Sequence, residues 1–457
     1  MSFNIGLSGL YAANKQLDVT GNNIANVATT GFKSSRAEFE DVYSATKLGT
    51  GSKTIGNGVR LANVSQQFTQ GDVNNTGNVL DMGIQGSGFF VLSDNGSLTF
   101  TRAGTFKVDK DGFITNSAGT ARLQGYGVDA SGKIMNGVLS DLKIDQSNLA
   151  PKTTSAISAS INLSSTEPDI DPVATPFDPS KLATYTDMFS TPVFDSQGNE
   201  HRMDQYVVKT GANSWQTYTL VDGRNPNGSA YTPAVAAIPG PPVIPAVPSN
   251  QAPMTMTFGS DGKLLGIAPP VPATGSPFTV ANNSIVMGPG VWTPGTVTNG
   301  VWKANGAAGN ATGVSNDLTK TTQFNTDTNR TTATQDGYAT GQITNLTIDG
   351  TGTLFANFSN SKSKAIGQIS LASFTNEQGL QPAGGTNWKQ TYDSGFAAYD
   401  TPQTGTLGSI KSNSLEDSNV NLTNELVDLI KGQSNYQANA KTISTQSTIM
   451  QTIIQMA

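Results

Sequence analysis

The 457-residue chain has no cysteine and a single histidine, His201. Disulfides and thiolate zinc sites are thereby excluded, and a histidine metal cage or a Ser-His-Asp triad has at most one candidate. Charge is scarce too: 13 % of the residues are Asp, Glu, Lys or Arg, and the formal net charge is −6. Without a basic excess, the chain offers no electrostatic footprint to nucleic acid or to an anionic membrane. No apolar run is long enough to span a bilayer, so membrane insertion is not expected. The opening MSFNIGLSGLYAANKQ lacks a basic n-region and a compact apolar core, which argues against a cleaved secretory peptide. No catalytic, cofactor or metal motif stands out. The nearest, Asp109-x-Asp111-Gly112, is half of a calcium loop without the closing bidentate Glu.

What the chain does have is glycine (49), proline (22) and much Asn, Ser and Thr. That composition suits many short strands joined by tight turns, and the length calls for two to four domains.

The two ends differ from the rest and share one period. Phe3, Leu7, Leu10, Asn14, Leu17, Gly21 and Ile24 alternate spacings of four and three. Leu422, Leu426, Leu429, Gln433, Tyr436, Ala440, Ile443, Ser447, Met450 and Ile454 do the same. A repeat of roughly 3.5 residues is the a/d seam of a coiled coil. At about 1.5 Å per residue these helices are roughly 40 and 50 Å long. Asn421 is a candidate N-cap, with Glu425 and Asp428 early and Lys431 and Lys441 late, matching the helix dipole. Polar and small seam residues such as Asn14, Gly21, Gln433 and Ser447 leave room for neighbouring helices. The competing reading is two amphipathic helices packed on their own globular core.

Between the ends the period is two. Phe89–Leu92, Leu98–Arg102, Phe106–Val108 and Phe113–Ile114 are separated by Asp94-Asn95-Gly96 and Asp109-x-Asp111-Gly112, which read as hairpin turns. Related turns recur at Asp129–Gly132, Asp195–Gly198, Asp261-Gly262, Asp336-Gly337 and Asp349-Gly350. Pro233–Pro253 and the prolines 269, 270, 272 and 277 read as extended surface loops. His201, just past a turn, is expected at a strand end and partly exposed. The fold class is therefore mainly β and multi-domain, with long N- and C-terminal helices forming a coiled coil, and with nested, discontinuous β domains. The expected domains are 1–30 with 420–457 (coiled coil), 31–75 with 385–419 (extended connector), 76–148 with 330–384 (inner β) and 149–329 (outer β, as one or two subdomains).

Three segments carry a resemblance. Leu17–Lys33 (LDVTGNNIANVATTGFK) resembles the N-terminal signature of the bacterial flagellar rod and hook axial proteins, with Asn22, Asn23, Asn26, Gly31, Phe32 and Lys33 as signature residues. Leu415–Val427 and Gln433–Lys441 are similar to that family's closing helix, and Phe100–Phe106 with Asp111–Phe113 to its inner β domain. The large middle insert sets the chain apart from the shorter rod members and beside the hook members. The resemblance implies a helical homopolymer, a curved tube acting as a universal joint that passes torque from rod to filament. It also implies rod, hook-cap and hook–filament junction proteins as partners, and an extracellular place in the flagellum after export by the flagellar type III apparatus. The assembly residues it points to are Leu7, Leu10, Leu17 and Ile24 with Leu422, Leu426, Leu429, Tyr436, Ile443 and Ile454. Gly31, Gly49-Thr50-Gly51 and Gly56-Asn57-Gly58 are expected to loosen the link between helices and β layer. Two other readings remain: a distal rod or hook–filament junction protein, and a secreted β-rich carbohydrate-binding protein or glycosidase.

Overall fold

The computed structural model describes residues 2–42, 56–129, 132–235, 247–271, 276–299 and 301–456. Gly49-Thr50-Gly51 and most of the first proline-rich stretch, including Pro239, Pro241, Pro242 and Pro245, lie outside the described residues, as does Pro272. The chain divides into two compact units. Unit 1 comprises 1–146, 343–357 and 361–457, and unit 2 comprises 147–342 and 358–360.

In unit 1 the termini are helical: α1 (Ser2–Ala25) and α2 (Leu422–Met456). Asn421 caps α2, its Oδ1 accepting from Asn424 N at 3.1 Å. The β part is built on a 13-stranded sheet. Its central strand, Phe89–Asp94, is buried on both faces. Successive residues point to opposite sides, so Phe90 and Leu92 enter one core with Met82, Ile84, Leu123 and Ile369. Phe89 and Val91 enter a second core with Phe100, Leu380 and Trp388. The turn after this strand is the one its sequence specifies: Asn95 (φ 49°) and Gly96 (φ 89°) join Asp94 to Ser97.

Unit 2 is two packed sheets. A six-stranded sheet contributes Ile157, Ile161, Leu163, Phe278, Ile285 and Val314, and a five-stranded sheet contributes Val193, Val207, Trp215, Met254 and Met256, to one shared core. The far face of the five-stranded sheet is covered by an aromatic cluster of Phe177, Tyr185, Tyr206, Tyr218 and Tyr231. Covered on both faces, the strand Glu200–Gly211 shows a continuous buried run instead of alternation.

Three expectations are corrected. Residues 330–342 belong to unit 2, because Asn329–Gln335 pairs antiparallel with Ala156–Ser164. The stretch 385–419 is no connector: Asn387–Lys389 pairs with Ser97–Thr101, Ala398–Asp400 with Leu371–Ser373, Ser409–Ser412 with Met82–Gln85, and Ser414–Glu416 with Val73–Asn75. Likewise Ser35–Asp41 and Val59–Gln66 form a hairpin. Short polar strands like these gain their order from partners distant in sequence, which local composition does not reveal. His201 is 5 % exposed, buried instead of lying open at a strand end.

Candidate assembly surface and its anchorage

α1 and α2 run antiparallel. Gly6 approaches Ile443 and Gly432 approaches Leu17, while Asn23 Nδ2 donates to Glu425 Oε1 at 3.0 Å. The approach is close because Gly6, Gly9 and Gly432 lie on the line of contact. A Cβ on Gly9 would stand 2.5 Å from Asn439 Oδ1, and one on Gly432 would stand 2.9 Å from Leu17 Cδ2.

This contact line coincides with the apolar seam only at Leu17 and Ile443. On α1 it follows Gly6, Gly9, Ala13, Thr20 and Asn23, each one position before the expected series Leu7, Leu10, Asn14, Gly21, Ile24. On α2 it follows Glu425, Gly432 and Asn439, again one position before Leu426, Gln433 and Ala440. One residue is about 100° of helix rotation, so most of the apolar seam flanks the contact, while Leu17 and Ile443 of that series reach into it against Gly432 and Gly6. Leu7, Leu10, Leu17, Ile24, Leu429 and Ile443 are half-buried. Leu422, Leu426 and Tyr436 are exposed, and Ile454 is 72 % exposed. Ile430, Ile449, Met450 and Ile453, not all of which the repeat picks out, are exposed beside them. α2 also outruns α1: beyond the level of Ser2 it continues to Met456, an overhang of about nine residues or roughly 14 Å.

The six signature residues sit where the helix pair meets the β layer. Asn23 Oδ1 accepts from Ser35 N (2.9 Å) and Nδ2 donates to Ser35 O (2.8 Å), so one side chain ties α1, α2 and the hairpin together. Asn26 Nδ2 donates to Asn22 O, closing the end of α1. Gly31 has φ +67°, and a Cβ there would collide with Ala103 N and stand 2.6 Å from Arg102 C. It is therefore a fitted contact and not the flexible link expected of it. Phe32 O accepts from Asn419 N.

Lys33 is at the centre of this joint. Its Nζ donates to Glu416 Oε1 (2.6 Å) and Thr69 O (2.7 Å). Arg102 Nη1 donates to Glu416 Oε2 (3.2 Å) and Gly71 N to Glu416 Oε1 (3.0 Å). Lys33, Arg102 and Glu416 are at most 2 % exposed. Burial pulls the Lys33 amine below its ordinary value and the Arg102 guanidinium adds to this, while Glu416 opposes both. Asn419 completes the joint, accepting from Ser34 N and donating to Gln67 O. Glu416 and Asn419 lie in Leu415–Val427 and Arg102 in Phe100–Phe106, but nothing local marks them as a cluster, since the Lys33–Glu416 pair spans 383 residues.

A cleft of about 840 Å³ beside the joint is lined by Asn26, Thr30, Asn116, Thr120, Thr386 and Trp388 among others, with no Asp or Glu among the described residues of its wall. Glycoside hydrolysis needs paired carboxylates in such a place. The turn aspartates use their oxygens locally instead: Asp109, Asp195 and Asp349 each accept two backbone N–H groups.

Family models match four stretches in order. Residues 3–33 match "Flagella basal body rod protein", 83–162 "Flagellar hook protein FlgE/F/G D1 domain", 162–338 "Flagellar basal body protein FlaE D2 domain" and 411–456 "Flagellar basal body rod FlgEFG protein C-terminal". The chain is 38 % identical over 464 residues to the flagellar hook protein FlgE of Escherichia coli strain K12, covering 100 % of both chains. It is 36 % identical over 460 residues to that of Salmonella typhimurium, again with 100 % of both covered. To that of Borreliella burgdorferi it is 31 % identical over 473 residues, covering 99 % of this chain and 98 % of the relative.

Proposed function

Since this chain belongs to the flagellar hook protein FlgE family and is a structural subunit of the hook, we propose that its terminal helices form the inner, coiled-coil layer of a self-assembled tube. The role is mechanical, not catalytic. The observation that carries this reading is the one-position offset between the two helix faces. The small-residue line is consumed inside the subunit, which leaves Leu422, Leu426, Ile430, Ile449, Ile453 and Ile454 exposed for neighbouring copies.

Magnitudes support sharing the work with the β units. Burying the exposed remainder of one such side chain contributes about 1 kcal/mol. The dozen large apolar side chains exposed on the two helices of each subunit together are comparable with the ~4–15 kcal/mol cost of immobilising a partner. The helices by themselves thus hold the tube reversibly, and contacts between β units complete it. Those contacts are polar and charge-poor, and can slide as the tube bends and passes torque. The buried Lys33–Glu416–Arg102 joint keeps each helix pair fixed to its β layer, so torque on one reaches the other. Export without a cleaved peptide through the flagellar type III apparatus, growth beneath a cap, and rod and junction proteins at the two ends complete the proposed setting.

The test is electron microscopy after salt-induced association of the full chain and of a chain lacking 447–457. Curved tubes are expected from the full chain and none from the truncation. Ordinary tubes from the truncation would overturn the helix-layer reading, and straight, rigid tubes from the full chain would favour a rod part.

A further inference from the structure

The chain's one histidine lies within unit 2 in an unusual setting. His201, in the strand Glu200–Gly211, has a carboxylate at each ring nitrogen: Nδ1 lies 2.7 Å from Asp222 Oδ2 and Nε2 lies 3.3 Å from Asp195 Oδ2. A neutral imidazole carries one N–H and can donate to only one of them; its other nitrogen would face an oxygen lone pair with its own. Only the imidazolium donates to both.

Asp195 is fully buried and collects donors. Its Oδ1 accepts from Gln197 N and Asn199 N, and its Oδ2 from Asn199 Nδ2 and Asn305 Nδ2 as well as facing His201. Burial would raise this carboxyl, but these hydrogen bonds outweigh it and hold it below its ordinary value. Asn305 belongs to the segment 301–309, which meets Asp195 through that bond. Trp292 packs perpendicular to the imidazole at 5.3 Å, Thr293 N donates to Pro226 O, Ser196 N donates to Ala308 O and Ala308 N donates to Ser196 Oγ.

We propose that His201 is a proton-operated clasp, which as imidazolium bridges Asp195 and Asp222 and holds the segment 301–309 down, and on losing its proton lets that segment loosen. The longer bond, to Asp195, is the one a neutral ring gives up, and Asp195 is the residue that anchors Asn305. Other charged groups nearby are committed or turned away. Arg202 pairs with Asp204, Arg224 donates to Gly228 O, Glu200 is exposed, and the segment's one charged residue, Lys303, is exposed. Burial alone would lower the histidine's proton affinity, but the two carboxylates outweigh it and raise it above the ordinary value. A raised folded-state value gives stability that is fully present below the unfolded value. It is lost as pH rises through the folded one.

With one histidine, the full chain yields one imidazole signal in a proton–carbon spectrum. The expected midpoint lies above the ordinary value of about 6.5. The exchange protection of the Ser196 and Ala308 amides should fall about tenfold or more across the same midpoint, and Asp222→Asn should move both midpoints down by about one unit. His201→Gln should abolish the step. A midpoint at or below the ordinary value, protection that does not change with the imidazole, or a step surviving in His201→Gln would each overturn the clasp. Should His201→Gln not fold, the paired shift in Asp222→Asn decides alone.

Discussion

Glu416→Ala is the sharpest perturbation of the joint. It removes the carboxylate bonded to both cations, leaving Glu377 as a further anion that acts on them without an ion pair, and Lys33, Arg102 and Glu416 are all essentially inaccessible to water. Breaking a buried ion pair from one side costs about 3–5 kcal/mol, because the remaining charge stays desolvated. Gly71 N loses its acceptor as well, adding on the order of 1 kcal/mol. For a unit of this size each kcal/mol lowers the melting temperature by about 2–4 °C, so a fall of roughly 8–24 °C is expected. The assay is thermal unfolding of the monomeric chain by circular dichroism, with hydrogen exchange separating unit 1 peptides from unit 2 peptides. Replacing all three charges with apolar residues, Lys33→Met, Arg102→Met and Glu416→Leu, should recover most of the loss. A loss under about 1 kcal/mol for Glu416→Ala, or an equal loss in the triple variant, would refute the view that desolvated, mutually compensating charge holds the joint.

Gly31→Ala should destabilise unit 1 by about 2 kcal/mol or more, from the left-handed backbone and the clash with Ala103. Gly21→Ala, an exposed helical site with open space around its Cα, should instead stabilise the monomer by about 0.5–1 kcal/mol in the same melts. Leu426→Asp with Ile430→Asp changes exposed positions, so the monomer's melting should stay within a few degrees while sedimentable polymer disappears; loss of both together would place these residues in an intramolecular core. Asp336, which accepts from Ser155 N, Ala156 N and Ser155 Oγ, is held far below the usual carboxylate range, these bonds outweighing its burial. Its contribution is present above the ordinary Asp value and lost as pH falls through the folded one, so the gap in unit 2 stability between wild type and Asp336→Asn should shrink below about pH 4. A gap that stays constant into acid would contradict this.

What the sequence by itself determined was whatever local rules govern. The 3.5-residue repeat marked both helices, Asn421 marked where α2 starts, and Asp94-Asn95-Gly96 marked a hairpin whose φ values only such residues adopt readily. The signature around Asn22–Lys33 identified the family before any geometry was known. The tertiary structure decided what those elements do to each other. A repeat fixes which residues share a stripe, but two helices can meet along any pair of stripes. Gly9 and Gly432 let the backbones approach on a line one step from most of the seam, and so left most of its leucines outside the contact, Leu17 excepted. Lys33 and Glu416 are unremarkable charges in sequence, and only the closing of a loop between the two ends of the chain makes them a buried pair. The same holds for the 385–416 strands, whose hydrogen bonds go to partners some 290–340 residues earlier in three pairings and in the fourth to Leu371–Ser373. His201 was legible as an isolated histidine after a turn. That it faces two carboxylates follows from a strand pairing and a folded-over segment that a linear chain does not display.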